Sequence, residues 1–233
     1  MSESQDKSNC PLCGDEDAEE LDTPELSSQG ITTWECPTCG QFGLHVDLLD
    51  GKLDELGAAQ KSRVSAYTCQ RHIRDNPVPI ICEGDAKCEW RDCFTIPLAD
   101  VLDAFPATVS KRLDAALINL AELSSQPGAH LGKKWYRPPV FYAEDEDAMR
   151  FLTNQLADRG WLMFGSKRRW GQEGPRTVKD FQRVCLTVYG WNRVADLQRE
   201  GLGEDSTQGF VAMWFDEERS EERRVGKECV SEC

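Results

Sequence analysis

The sequence predicts a multi-domain α+β protein: a small β unit at the N-terminus, a helical middle, an α+β segment, and the first strand of an α/β domain. Three observations carry that prediction. Two Cys-Pro-x-Cys-Gly stretches, Cys10–Gly14 and Cys36–Gly40, sit in a region whose second half is rich in β-branched and aromatic residues. The centre of the chain repeats apolar residues at helical spacing, with stops at Pro106 and at Pro127-Gly128. Residues 136–201 then read helix, strand, glycine-rich turn, strand, helix. The expected divisions are 1–50, 51–135, 136–201, 202–218 and 219–233.

The first division owes its shape to cysteine. Cys10 and Cys13 are two residues apart, as are Cys36 and Cys39, with twenty-two residues between the pairs. Two intervening residues let a tight turn present both sulfurs to one tetrahedral ion. Gly14 and Gly40 supply the positive φ that closes such a knuckle, and Pro11 and Pro37 occupy matching places. The opening of the chain lacks a basic-then-apolar leader, so the reading is cytoplasmic. There, paired cysteines favour metal over disulfides. The expectation is a zinc ribbon holding one structural Zn2+ through Cys10, Cys13, Cys36 and Cys39, with no position left for a reacting water.

In the second division, 55–75 reads as a helix ended by Asn76-Pro77, and the cysteine-containing stretch Ile80–Cys93 as irregular. Leu98, Val101, Leu102 and Phe105 form one helical stripe; Val109, Leu113, Ala116, Leu117 and Leu120 form another. Cys69, His72, Cys82, Cys88 and Cys93 are candidates for a second metal. Their spacings are irregular, and buried free cysteines are common, so packing is the favoured reading. Residues 129–140 read as a connector or short strand.

The third division opens on a helix with acidic residues in its first turn, an apolar face of Ala148, Phe151, Leu152 and Leu156, and Gly160 as its cap. Trp161–Phe164 and a run ending at Val188 read as strands, and Trp191–Arg199 as a closing helix. The order is that of a winged helix-turn-helix, and equally of a small α+β scaffold. Between the strands, Lys167, Arg168, Arg169 and Arg176 form a basic hairpin. It is either a wing for a phosphate backbone or a solvated tip that resists edge pairing, with the second favoured.

Charge narrows the partners. The chain carries a net charge of −14. Residues 1–60 hold fourteen acidic side chains against two basic ones, Lys7 and Lys52. Such a surface repels nucleic acid; a protein partner, through self-assembly or signalling, fits it better. Nucleic acid would have to engage the basic hairpin. No apolar run is long enough for a membrane span. No phosphate loop, metalloprotease signature or serine elbow occurs, and His45, His72 and His130 are scattered. No catalytic residue is assigned.

Arg219–Cys229 reads residue for residue like the translation of a common sequencing adapter, so 219–233 is expected to be an artefact and the natural reading frame to continue. The ribbon knuckles, the Leu186–Trp191 stretch after the basic hairpin and the Phe210–Asp216 run after a polar linker together resemble a bacterial family. Its members join a zinc ribbon to a C-terminal nucleoside 2-deoxyribosyltransferase-like, TIR-related domain. The resemblance implies chemistry at an N-glycosidic bond through a carboxylate nucleophile, with a role in phage defence. On the matching positions it places Phe215 and Asp216 at the start of a nucleotide-facing loop. The catalytic carboxylate would lie further on, leaving this chain inactive as a regulatory or interaction part. The rival expectation is a zinc-ribbon and winged-helix DNA-binding regulator.

Overall fold

A computed structural model describes residues 9–84, 93–131, 135–164 and 184–201. It is a mixed α+β structure organised around one five-stranded mixed sheet. Strands β1 (Glu19–Leu21), β2 (Ile31–Cys36) and β3 (Gly40–His45) form an antiparallel meander, with Cys36 opposite Gly40 and Ile31 opposite His45. One-turn helix α1 (Pro24–Ser27) fills the β1–β2 link, and α2 (Val46–Leu49) and α3 (Lys52–Glu55) follow β3. The long helix α4 (Ala58–Ile73) then leads to β4 (Val78–Cys82) and β5 (Cys93–Pro97). Both join the same sheet in parallel, Gly43 opposite Ile80 and Ile80 opposite Thr95.

The Ile80–Cys93 stretch, expected to be irregular, has strands at its two ends, Ile80–Cys82 in β4 and Cys93 in β5, while 85–92 lie outside the described residues. Pro79 hid β4, because proline gives no ladder donor and argues against a central strand. Pro79 through Cys82 are all buried. A strand covered on both faces shows an apolar run, without the alternation that marks a half-exposed one. The sheet consequently runs across residue 50. Phe42 and Leu44 of β3 pack with Val64 of α4, Ile81 of β4 and Val101.

The next two helices follow their stripes over most of their length. α5 (Leu98–Asp103) buries Val101, and the guanidinium groups of Arg63 and Arg112 lie over the ring of Phe105 just beyond it, 5.1 and 4.7 Å from the ring centre. α6 (Val109–Glu122) starts where Thr108 accepts a hydrogen bond from the Lys111 amide at 3.2 Å. It buries Leu113, Ala116, Leu117 and Leu120 completely, whereas Val109, on its first turn, is half exposed. A 3-10 turn, Pro138–Phe141, closes a second core with Trp135.

α7 (Glu146–Asp158) is capped by Asp145, which accepts from the Ala148 amide at 2.7 Å. Its buried face is Met149, Leu152, Thr153 and Leu156; Phe151, expected inside, is 53% exposed. Thr153 can turn inward because its hydroxyl donates to the Met149 carbonyl at 2.8 Å. β6 (Leu162–Phe164) and β7 (Val184–Leu186) pair antiparallel. α8 (Val188–Gly201) begins three residues before its expected start. Arg193 makes a two-pronged contact with Asp114 of α6, at 3.2 and 2.9 Å. Among the described residues no helix is long and apolar enough to cross a membrane.

Candidate metal centre

The two knuckles are built alike and face one another. In the first, the Gly14 amide donates to the Cys10 carbonyl at 2.8 Å, and Gly14 has φ +75°. The second is the turn between β2 and β3, where the Thr38 and Cys39 amides both point at Cys36 Sγ, at 3.4 Å each. Gly40 closes it with φ +78°. Asp15 joins the pair: its backbone carbonyl accepts from the Cys10 amide at 2.9 Å, and its carboxylate accepts from the Thr38 hydroxyl at 2.7 Å.

This arrangement brings four sulfurs together. Cys10 and Cys39 Sγ are 3.7 Å apart, Cys13 and Cys36 Sγ 3.6 Å, and all four lie within 4.8 Å of one another. A tetrahedral zinc with Zn–S bonds of ~2.3 Å sets its sulfurs about 3.8 Å apart. Cys10, Cys36 and Cys39 are buried and Cys13 is exposed. The sulfurs also contend for protons. Hydrogen bonds from Cys13, Cys36 and Cys39 draw the Cys10 thiol far below its ordinary range, and contact with Cys10, Cys13 and Cys36 pushes Cys39 far above it. Four thiols this close cannot all ionise on their own. A divalent cation removes the conflict, and four cysteines so placed could hold one metal ion.

Neighbours hold the second knuckle from outside. The Ser65 hydroxyl on α4 is 3.0 Å from Cys39 Sγ. Arg137 donates to the Pro37 carbonyl. His72 of α4 packs against Gly40 so closely that a β-carbon at residue 40 would overlap the His72 Cβ. The spacing of the cysteines announces the four that cluster, but nothing in the sequence marks Ser65 or Arg137. Both meet the knuckle only through folding.

The other candidates do not assemble among the described residues, where the four-cysteine cluster is the single group placed to hold a metal. Cys69 is fully buried in the core with Leu113 and Leu117, and burial pushes its thiol up to about 11. His72 is exposed, on the knuckle side of the same helix. Cys82 donates to the Gly84 carbonyl at 2.8 Å. Cys93 is half-buried at the start of β5. Cys88, the basic residues Lys167, Arg168, Arg169 and Arg176, and Phe215 and Asp216 lie outside the described residues.

No family model, curated protein or solved structure matches the chain.

Proposed function

We propose that Cys10, Cys13, Cys36 and Cys39 hold one Zn2+ as a structural cross-link, and that the chain serves as a regulatory or interaction part and not as a catalyst. The observation that carries the zinc reading is the set of four sulfurs gathered within 4.8 Å of one another, two pairs of them near the ~3.8 Å that a tetrahedral zinc sets. Four thiolates fill the coordination sphere, so neither water nor substrate has a place on the metal. When bound, the ion neutralises two of the four thiolate charges and ties the first knuckle to the β2–β3 turn.

Metal analysis of the purified chain tests this. One zinc per chain is expected, and Cys36→Ser with Cys39→Ser should abolish tight retention; a native chain that keeps no zinc, or a double variant that keeps it all, overturns the reading.

The larger assignment rests on motif order. The ribbon and the Phe210–Asp216 run support a place ahead of a TIR-like or nucleoside 2-deoxyribosyltransferase-like effector domain acting on N-glycosidic bonds. The acidity of residues 1–60 supports a protein partner over nucleic acid. Reading the natural frame beyond Asp216 is the test: an α/β domain with a suitably placed carboxylate is expected, and a frame without one removes the effector assignment.

A further inference from the structure

We propose that Ser65 of α4 is an outer-shell donor to the metal centre, positioning Cys39 as a thiolate ligand and setting how tightly the metal is held. The inference rests on the zinc reading above and adds to it a residue outside the ribbon.

The Cys39 side chain is the most deeply buried of the four ligands, with no solvent exposure. A metal-bound thiolate there receives no water, so its remaining charge needs a donor from the protein. Cys36 has two backbone amides for that purpose. Cys39 has the Ser65 hydroxyl at 3.0 Å, itself 1% exposed. Once Cys39 binds metal it carries no proton, so Ser65 must donate.

The behaviour of similar residues makes the contact stand out. A hydroxyl buried on a helix ordinarily turns back to a carbonyl of the preceding turn. Thr68 does so, donating to the Ser65 carbonyl at 3.0 Å, and Thr153 does so, donating to the Met149 carbonyl. The Ser65 hydroxyl faces a ligand sulfur. Outer-shell partners of this kind orient the ligand and hold the metal more tightly.

The full chain and its Ser65→Ala, Ser65→Thr and Thr68→Ala variants are loaded with zinc and titrated with a competing chelator. Parallel samples loaded with Co2+ report the thiolate-to-metal charge-transfer band. Ser65→Ala should hold zinc about tenfold less tightly. Its cobalt band should move to longer wavelength, because a thiolate without a donor has higher-lying lone pairs. Ser65→Thr should return both readings toward native, and Thr68→Ala should move neither. Alanine is the better helix former, so a purely structural role for Ser65 predicts an unmoved band.

A folded Ser65→Ala with native affinity and band overturns the proposal, as does an equal loss in Thr68→Ala. Should Ser65→Ala not fold, the native chain loaded with 113Cd decides. A scalar coupling between the metal and the buried Ser65 hydroxyl proton is expected, and its absence overturns the assignment. A native chain that takes up no metal defeats the zinc reading itself; native uptake with an indifferent Ser65→Ala defeats only this inference.

Discussion

Gly14 and Gly40 occupy equivalent places in the two knuckles, yet they differ in what surrounds them. Both have positive φ, so an L-residue at either costs about 1–2 kcal/mol. Around Gly14 there is open space, whereas a β-carbon on Gly40 meets His72. Gly14→Ala should therefore destabilise by about 1 kcal/mol and Gly40→Ala by roughly 3 kcal/mol, adding overpacking to backbone strain. Denaturant unfolding of the zinc-loaded variants would show it; equal losses would mean that the His72 contact is unimportant. Cys69 gives a second prediction at this scale. Its folded thiol titrates near 11 because of burial, against 9.0 for an ordinary one. The unfolded thiol ionises first, so its contribution is complete below pH 9 and is lost as the pH rises through 11. The loss is on the order of 2–3 kcal/mol. Replacing Cys69 with Ala should remove that part of the alkaline slope, whatever it costs at neutral pH, and an unaltered slope would exclude the assignment.

Elements are fixed by short-range signals that the packing then selects among. The α7 start is local: Asp145 accepts from the Ala148 amide, and Glu146 and Asp147 lie in the positive first turn. Asp145→Ala should cost about 1 kcal/mol and Asp145→Asn much less, read as urea midpoints at constant slope. Which face of α7 turns inward was less legible. Apolar spacing favoured Phe151, but the core took Met149 and Thr153, since a threonine that satisfies its own hydroxyl along the helix counts as apolar to its neighbours. β4 shows the opposite failure: Ile80 to Cys82 read as part of an irregular stretch, although Pro79 through Cys82 are buried in a strand.

At the scale of the molecule, the N-terminal cysteine region is embedded in the larger sheet. β3 pairs with β4 beyond residue 50, and Phe42 and Leu44 are covered by Val64, Ile81 and Val101. A fragment of residues 1–50 would expose an unpaired β3 edge and this apolar surface. It should bind zinc more weakly than the full chain, bind hydrophobic dye and lack cooperative unfolding. A fragment that unfolds cooperatively with native zinc affinity would show that this region stands alone. Arg137 extends the same dependence, since it reaches the Pro37 carbonyl from a hundred residues away in sequence.

The sequence by itself singled out the four clustered cysteines and most of the helices. Cysteine spacing, glycine at positive φ, N-caps and apolar periodicity act over a few residues, and each leaves a mark that can be read in order along the chain. Tertiary structure alone decided that β4 and β5 complete the sheet, and that Ser65, His72 and Arg137 surround the second knuckle. Those contacts join residues with no common local signal. They exist because burying Phe42, Leu44 and Ile81 together brings α4 against the β2–β3 turn.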